Sequence, residues 1–156
     1  MKRNFLITFV TIALFGIFFL SACGTLQIVG KTFVYDSVSI DWGMAEEKDK
    51  QIIYEKYSVN SHSELIEYLK TYKNRNNRVT TFGTDGKYVT KNENNEIIDS
   101  GYYRQDDDII TLAETEDGFS ENTAYTLDAN DKGYVVILNL DDELKVFAKY
   151  QYVEQT

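Results

Sequence analysis

The sequence predicts an all-β domain, an eight-stranded up-and-down barrel with a helix inserted between its first and second strands. Three observations predict it. From Val79 to the C-terminus, short runs of β-branched and aromatic residues recur, separated by turns rich in Asp, Asn and Gly. Only one segment combines helical spacing of apolar residues with a clear start signal. The strands after it follow one another by short hairpins, with no long crossover, and closing such a series removes its unpaired edges.

The elements follow in order. Lys31 to Trp42 reads as a long strand. Phe33 and Tyr35 share one face, but Val38, Ile40 and Trp42 are shifted by one residue, which places a bulge near Asp36-Ser37. Residues 45–57 form a weaker helical stretch around Ile52, Ile53 and Tyr57. Ser61-His62-Ser63-Glu64 is a capping-box pattern, and Leu65, Tyr68, Leu69 and Tyr72 then line one helical face. Asn74 to Asn77 ends that helix. Val79 to Thr84 and Lys87 to Lys91 are strands about Asp85-Gly86, read as a two-residue turn whose residues tolerate positive φ. Glu96 to Arg104, Ile109 to Ala113 and Asn122 to Asp128 are the next strands. Gly101, inside the first of these, marks a bulge or a close backbone approach. Gly133 to Leu140 is nearly all apolar and reads as central or buried on both faces. Glu143 to Val153 closes the chain, with Leu144, Val146, Ala148, Tyr150 and Tyr152 on one face.

The N-terminus reads as an address. Met1-Lys2-Arg3-Asn4 is basic, and Phe5 to Leu20 is an uncharged run of 16 residues. That is short of the roughly 20 residues of a spanning helix and has the layout of an export signal. It ends in Leu20-Ser21-Ala22-Cys23, which resembles the lipobox of bacterial lipoproteins. The resemblance implies cleavage between Ala22 and Cys23 and a diacylglycerol on the Cys23 thiol. Acyl chains of the palmitate kind would then anchor the exported chain to the extracytoplasmic face of the cell membrane. The expected organisation is a signal peptide at 1–22, a lipidated tether at 23–29 and one barrel domain at 30–156. Cys23 is the only cysteine, so no intramolecular disulfide is possible and the core alone must hold the domain.

The barrel segment resembles the lipocalin-like domains of bacterial lipoproteins, within the wider calycin group. Gly30-Lys31-Thr32-Phe33 opens the first strand, and a helical segment follows. Then come Val79-Thr80-Thr81-Phe82-Gly83-Thr84-Asp85-Gly86-Lys87-Tyr88, Ser100-Gly101-Tyr102-Tyr103 and Ile109-Ile110-Thr111-Leu112. The chain departs from true lipocalins in lacking their Gly-x-Trp: the first aromatic is Phe33, and Trp42 lies too far along to replace it. The resemblance implies binding of a small apolar or amphipathic ligand at the barrel mouth, beneath the helix of residues 61–73. Phe33, Tyr35, Trp42, Tyr103, Tyr125, Tyr134 and Tyr150 are the candidate lining residues, although aromatics on strands also simply fill small barrels.

Charge and composition exclude several functions. Removing the leader takes away Lys2 and Arg3 and no acid, leaving 14 basic and 25 acidic side chains, a net of −11. Such a surface repels nucleic acid. Lys70, Lys73, Arg75 and Arg78 form a local exception, read as cations suited to a helix C-terminus rather than as an anion site. Nucleophilic catalysis is poorly supplied: His62 is the single histidine and lies at a helix cap, and the single thiol is assigned to lipid. One His without a free Cys argues against zinc. Asp85, Asp106-Asp107-Asp108 and Asp128-Asn130-Asp131 would share one rim. However, Lys132 stands in a ligand position of the calcium-loop pattern and no Glu follows, so solvated turns explain them better. No catalytic residue, metal or cofactor is assigned. Two readings remain, a ligand-binding barrel or a filled barrel acting through its exterior on an envelope protein.

Overall fold

The computed structural model describes residues 26–120 and 124–156. The leader, Ala22 and Cys23 lie outside these residues. Eight strands form one closed antiparallel barrel in sequence order. They are β1 (Thr32–Asp41), β2 (Val79–Phe82), β3 (Lys87–Lys91), β4 (Ile97–Asp106), β5 (Ile109–Ala113), β6 (Tyr125–Ala129), β7 (Gly133–Asp141) and β8 (Val146–Glu154). Between β1 and β2 lie helix α1 (Glu47–Lys56), helix α2 (His62–Thr71) and a 3-10 stretch, Tyr72–Asn77. Antiparallel pairing of β1 with β8 closes the barrel, and its register shifts between Tyr35 and Ser37. That shift is the bulge expected from the change of phase along β1, and it turns both Phe33 and Val38 into the core.

Local chemistry explains most of the connections. The hydroxyl of Ser61 accepts from the Glu64 amide at 3.2 Å, capping α2. The Glu64 carboxylate reaches back one residue further than a capping box requires, taking the Asn60 amide at 2.8 Å. The β2–β3 hairpin differs from the expected two-residue turn. The Gly83 amide donates to the Lys87 carbonyl at 2.7 Å, leaving Thr84-Asp85-Gly86 as a three-residue loop. Such loops need left-handed backbone at their last residue, and Gly86, with φ of 77°, supplies it. β7 also differs from expectation. Tyr134 and Leu140 are buried, but Ile137 is 48% exposed. A barrel wall has only one inner face, and among the described residues no second layer covers Ile137 on its outside.

The two ends of the barrel differ. At the base, the segment before β1 crosses the opening. The Leu26 amide donates to the Asn130 carbonyl at 3.2 Å, and the Ile28 amide donates to Gln105 Oε1 at 3.0 Å. Gln105 Nε2 returns a bond to the Leu26 carbonyl at 3.0 Å, and the Ile28 side chain is fully buried. The acidic turns at Asp85, Asp106–Asp108 and Asp128–Asp131 belong to this end, because the β2–β3, β4–β5 and β6–β7 connections share it with the start of β1. At the opposite end, the mouth, α2 buries Leu65 and Leu69 into the barrel and α1 buries Ile53.

Candidate functional site

The mouth is only partly filled by the helices, and β8 decides where they sit. Alternate residues Val146, Ala148, Tyr150 and Tyr152 point inward and are buried. Tyr150 Oη donates to the Leu69 carbonyl at 3.0 Å, and Tyr152 Oη donates to the Arg75 carbonyl at 3.1 Å. These two phenols pin the end of α2 and the segment leaving it. Within that segment Lys73 and Asn74 both adopt left-handed backbone, with φ of 52° and 53°. The chain therefore turns sharply and carries Arg75 and Arg78 to the rim of the barrel.

Beside this segment lies a cavity of about 270 Å³. Its deeper lining comes from Phe82, Leu112, Leu127, Tyr134 and Tyr152. Phe82 is at the centre of an aromatic cluster. Its ring meets Tyr103 at 4.9 Å, Tyr134 at 5.7 Å and Phe33 at 5.8 Å, all edge-on, while Tyr134 stacks on Tyr152 at 5.0 Å. The remaining lining includes Thr80, Tyr88, Thr90, Asp99 and Tyr125, with Arg75 and Arg78 from the connecting segment. β6 and β7 pair only at Asp128–Val135 and Ala129–Tyr134. Beyond those pairs the strands part, and Val136 and Ile137 join the lining there.

The polar lining is organised. Thr80 and Thr90 share a hydrogen bond between their hydroxyls at 2.9 Å. Asp99 accepts from Tyr88 Oη at 3.2 Å and from Tyr125 Oη at 3.3 Å, one phenol on each carboxylate oxygen. Burial, and then the nearby charge of Asp99, hold the Tyr125 phenol above its ordinary value of 10.0. Burial raises Tyr134 as well, against a hydrogen bond with Thr80 that works in the opposite direction. These phenols stay protonated across the physiological range and act as donors. Arg75 lies over the Tyr150 ring, with Cζ 5.0 Å from its centroid. Arg78 donates from one terminal nitrogen to the Lys73 carbonyl at 3.0 Å. The Nε atoms of both arginines are buried without a hydrogen-bond partner.

The seven aromatic candidates separate in space. Tyr125 and Tyr134 line the cavity. Phe33, Tyr103 and Tyr150 are buried in the surrounding core, with the Tyr103 hydroxyl donating to the Gly83 carbonyl at 2.7 Å. Tyr35 packs edge-on against Tyr152 at 6.2 Å. Trp42 lies against Tyr54 and His62, each 5.9 Å away. Tyr88, Tyr152 and the two arginines were not among the candidates. Tyr88 and Tyr152 had a legible signal in their inward strand phase, shared with Thr90 and Tyr150, but the arginines had none beyond their charge. Among the described residues no group of three or more His, Cys, Asp or Glu side chains could hold a metal ion. None of the described helices is long and apolar enough to cross a membrane.

Fold and site together define a small closed antiparallel barrel, plugged at its base and holding a mixed aromatic and polar cavity at its mouth. No protein-family model matches this chain, and no curated protein or solved structure matches it.

Proposed function

We propose that this protein is an exported lipoprotein, anchored through lipid on Cys23, whose lipocalin-like barrel binds a small amphipathic molecule at its mouth. The observation that carries the binding reading is the cavity of about 270 Å³, with aromatic and leucine side chains in its depth and phenols, hydroxyls and charges elsewhere in its lining. Its size is close to the lower end of the roughly 300–1,000 Å³ typical of small-molecule sites. Apolar walls with a few convergent polar groups are the usual chemistry of such sites. The cavity favours this reading over that of a filled barrel acting only through its exterior.

The anchor and the cavity are consistent with each other. Cys23 precedes Leu26 by three residues, a reach of at most about 11 Å. Leu26 is bonded at the base of the barrel. A lipid on Cys23 therefore holds the plugged base toward the membrane and leaves the mouth facing away, open to molecules arriving from outside. Binding rather than catalysis is proposed. The single histidine, His62, sits against Trp42, and the cavity carboxylate of Asp99 is engaged by two phenols.

Native mass spectrometry of residues 24–156, purified from cells without detergent and compared with the denatured mass, tests the binding reading. Extra mass that disappears on denaturation supports it, and a bare protein that also takes up none of a panel of small amphiphiles overturns it. Cys23→Ala tests the anchor: release from the membrane fraction, or failure of processing, is expected. A variant that is still processed and membrane-bound refutes the lipid attachment.

A further inference from the structure

We propose that the molecule taken by this cavity carries an oxyanion, a carboxylate or its phosphate or sulfonate equivalent, held at the mouth by Arg75 and Arg78. The inference rests on the reading of the barrel as a ligand-binding module and names the chemistry of its ligand. Whole-chain charge argues against a basic site, since acidic residues outnumber basic ones by 25 to 16. Yet of the three arginines after the leader, Arg75, Arg78 and Arg104, two line the cavity. Every ion pair among the described residues is made by a lysine, and none by Arg75 or Arg78.

Their hydrogen-bonding capacity is only partly used. A guanidinium has five N–H donors in a planar fork suited to two-oxygen acceptors. Arg78 uses one nitrogen on the Lys73 carbonyl, while Arg75 rests on the Tyr150 ring and is hydrogen-bonded by its side chain to the Tyr152 phenol. Both Nε–H groups are buried without acceptors, an unfavourable state that an arriving oxyanion relieves. A purely structural role for the pair, holding the segment after α2, does not require this. The Tyr152 phenol already holds that segment through the Arg75 carbonyl, which any side chain at position 75 would keep.

The charge balance of the lining narrows the class further. Arg75 and Arg78 contribute two positive charges and Asp99 one negative, so the lining favours a ligand of one negative charge. Asp99 is not available to bind an ammonium group without competition, because each of its oxygens already accepts from a phenol. The aromatic and leucine side chains deeper in the cavity suit an apolar or planar body attached to that single anionic group.

Two fluorescent probes isolate the charge. 8-Anilinonaphthalene-1-sulfonate and N-phenyl-1-naphthylamine share one skeleton and differ by a sulfonate. They are titrated into the mature chain carrying Cys23→Ser, and into Arg75→Gln, Arg78→Gln and Val136→Trp versions of it. The tryptophan is placed to fill the cavity. The sulfonate is expected to bind roughly tenfold or more tightly than the neutral probe, with each glutamine variant removing most of that preference and leaving the neutral probe within about twofold. Equal affinity of the two probes for the unsubstituted protein, or a preference that survives both glutamine variants, overturns the inference while leaving the binding module intact. Absence of binding by either probe, or binding by both that Val136→Trp leaves unchanged, overturns the binding module itself. If a glutamine variant loses both probes through misfolding, the ratio in the unsubstituted protein and its decline with added salt decide the matter. Competition by acetate-headed, phosphate-headed and sulfonate-headed aromatics then tells which oxyanion is preferred.

Discussion

Replacing Phe82 with Ala removes the ring on which the inner end of the cavity is built. Phe82 is fully buried and meets four other rings, with centroids 4.9 to 6.3 Å away: Tyr103, Tyr134, Phe33 and Tyr88. Three of these contacts are edge-on, the geometry aromatic pairs prefer. The four surrounding rings are carried by four different strands and cannot collapse together without breaking the register of the barrel. The lost transfer energy and the space left behind should together destabilise the domain by about 3–5 kcal/mol. Against a total stability of roughly 5–15 kcal/mol, that is a large fraction. For a chain of this size the melting temperature should fall by roughly 10–20 °C. Urea unfolding followed by far-UV circular dichroism measures the change directly, with an unchanged m-value showing that the native state is still compact. The same variant should admit a bulkier neutral probe, since the new space adjoins the cavity. A loss below about 1 kcal/mol would refute the claim that Phe82 is tightly packed at the centre of this cluster.

Two further perturbations test the barrel that positions the site. Gly101→Ala would set a Cβ against the carbonyl oxygen of Ala113 and the ring of Tyr88, the first of which is backbone and cannot rotate away. It should destabilise by at least about 1–3 kcal/mol, read as a lowered thermal midpoint, and a neutral substitution would mean that β4 and β5 can separate without penalty. Burial pushes the Tyr150 phenol up to about 12, with Arg75 pulling the other way, against an ordinary value of 10.0. A phenol whose folded value is raised contributes stability that is whole below pH 10 and is lost as the pH climbs toward 12. Burial raises Tyr88, Tyr134 and Tyr152 in the same direction. Urea melts between pH 8 and 11.5 should therefore show falling stability above pH 10, with a shallower fall in Tyr150→Phe, and a flat profile would contradict the buried placement of these phenols.

Much of the fold was legible because it depends on local chemistry. Alternating apolar residues and Asx-Gly turns set the number and order of the strands. The change of phase between Tyr35 and Val38 located the bulge in β1, since side-chain direction alternates strictly along a strand. Ser61 announced the start of α2 through a bond three residues long. Gly101 announced a close approach because only a missing Cβ allows one there. The resemblance of Leu20 to Cys23 to a lipobox, on which the proposed anchor rests, is likewise a linear pattern, read without any fold.

The cavity depended on relations that no local window contains. Lys70, Lys73, Arg75 and Arg78 look alike in sequence, as cations closing a helix. In the fold Lys70 pairs with Glu67 at 2.5 Å on the helix itself. The left-handed turn at Lys73 and Asn74, held by two phenols from β8, sends Arg75 and Arg78 to the mouth instead. The aromatics divide in the same way. Inward phase is local, but whether an inward ring fills the core or lines a cavity depends on what lies across the barrel and on where β6 and β7 part. The sequence by itself determined the strands and most of their turns, because each rests on neighbours in the chain. Only the tertiary structure decided which charges and rings share a space, because that follows from closing β1 onto β8 and docking one helix across the opening.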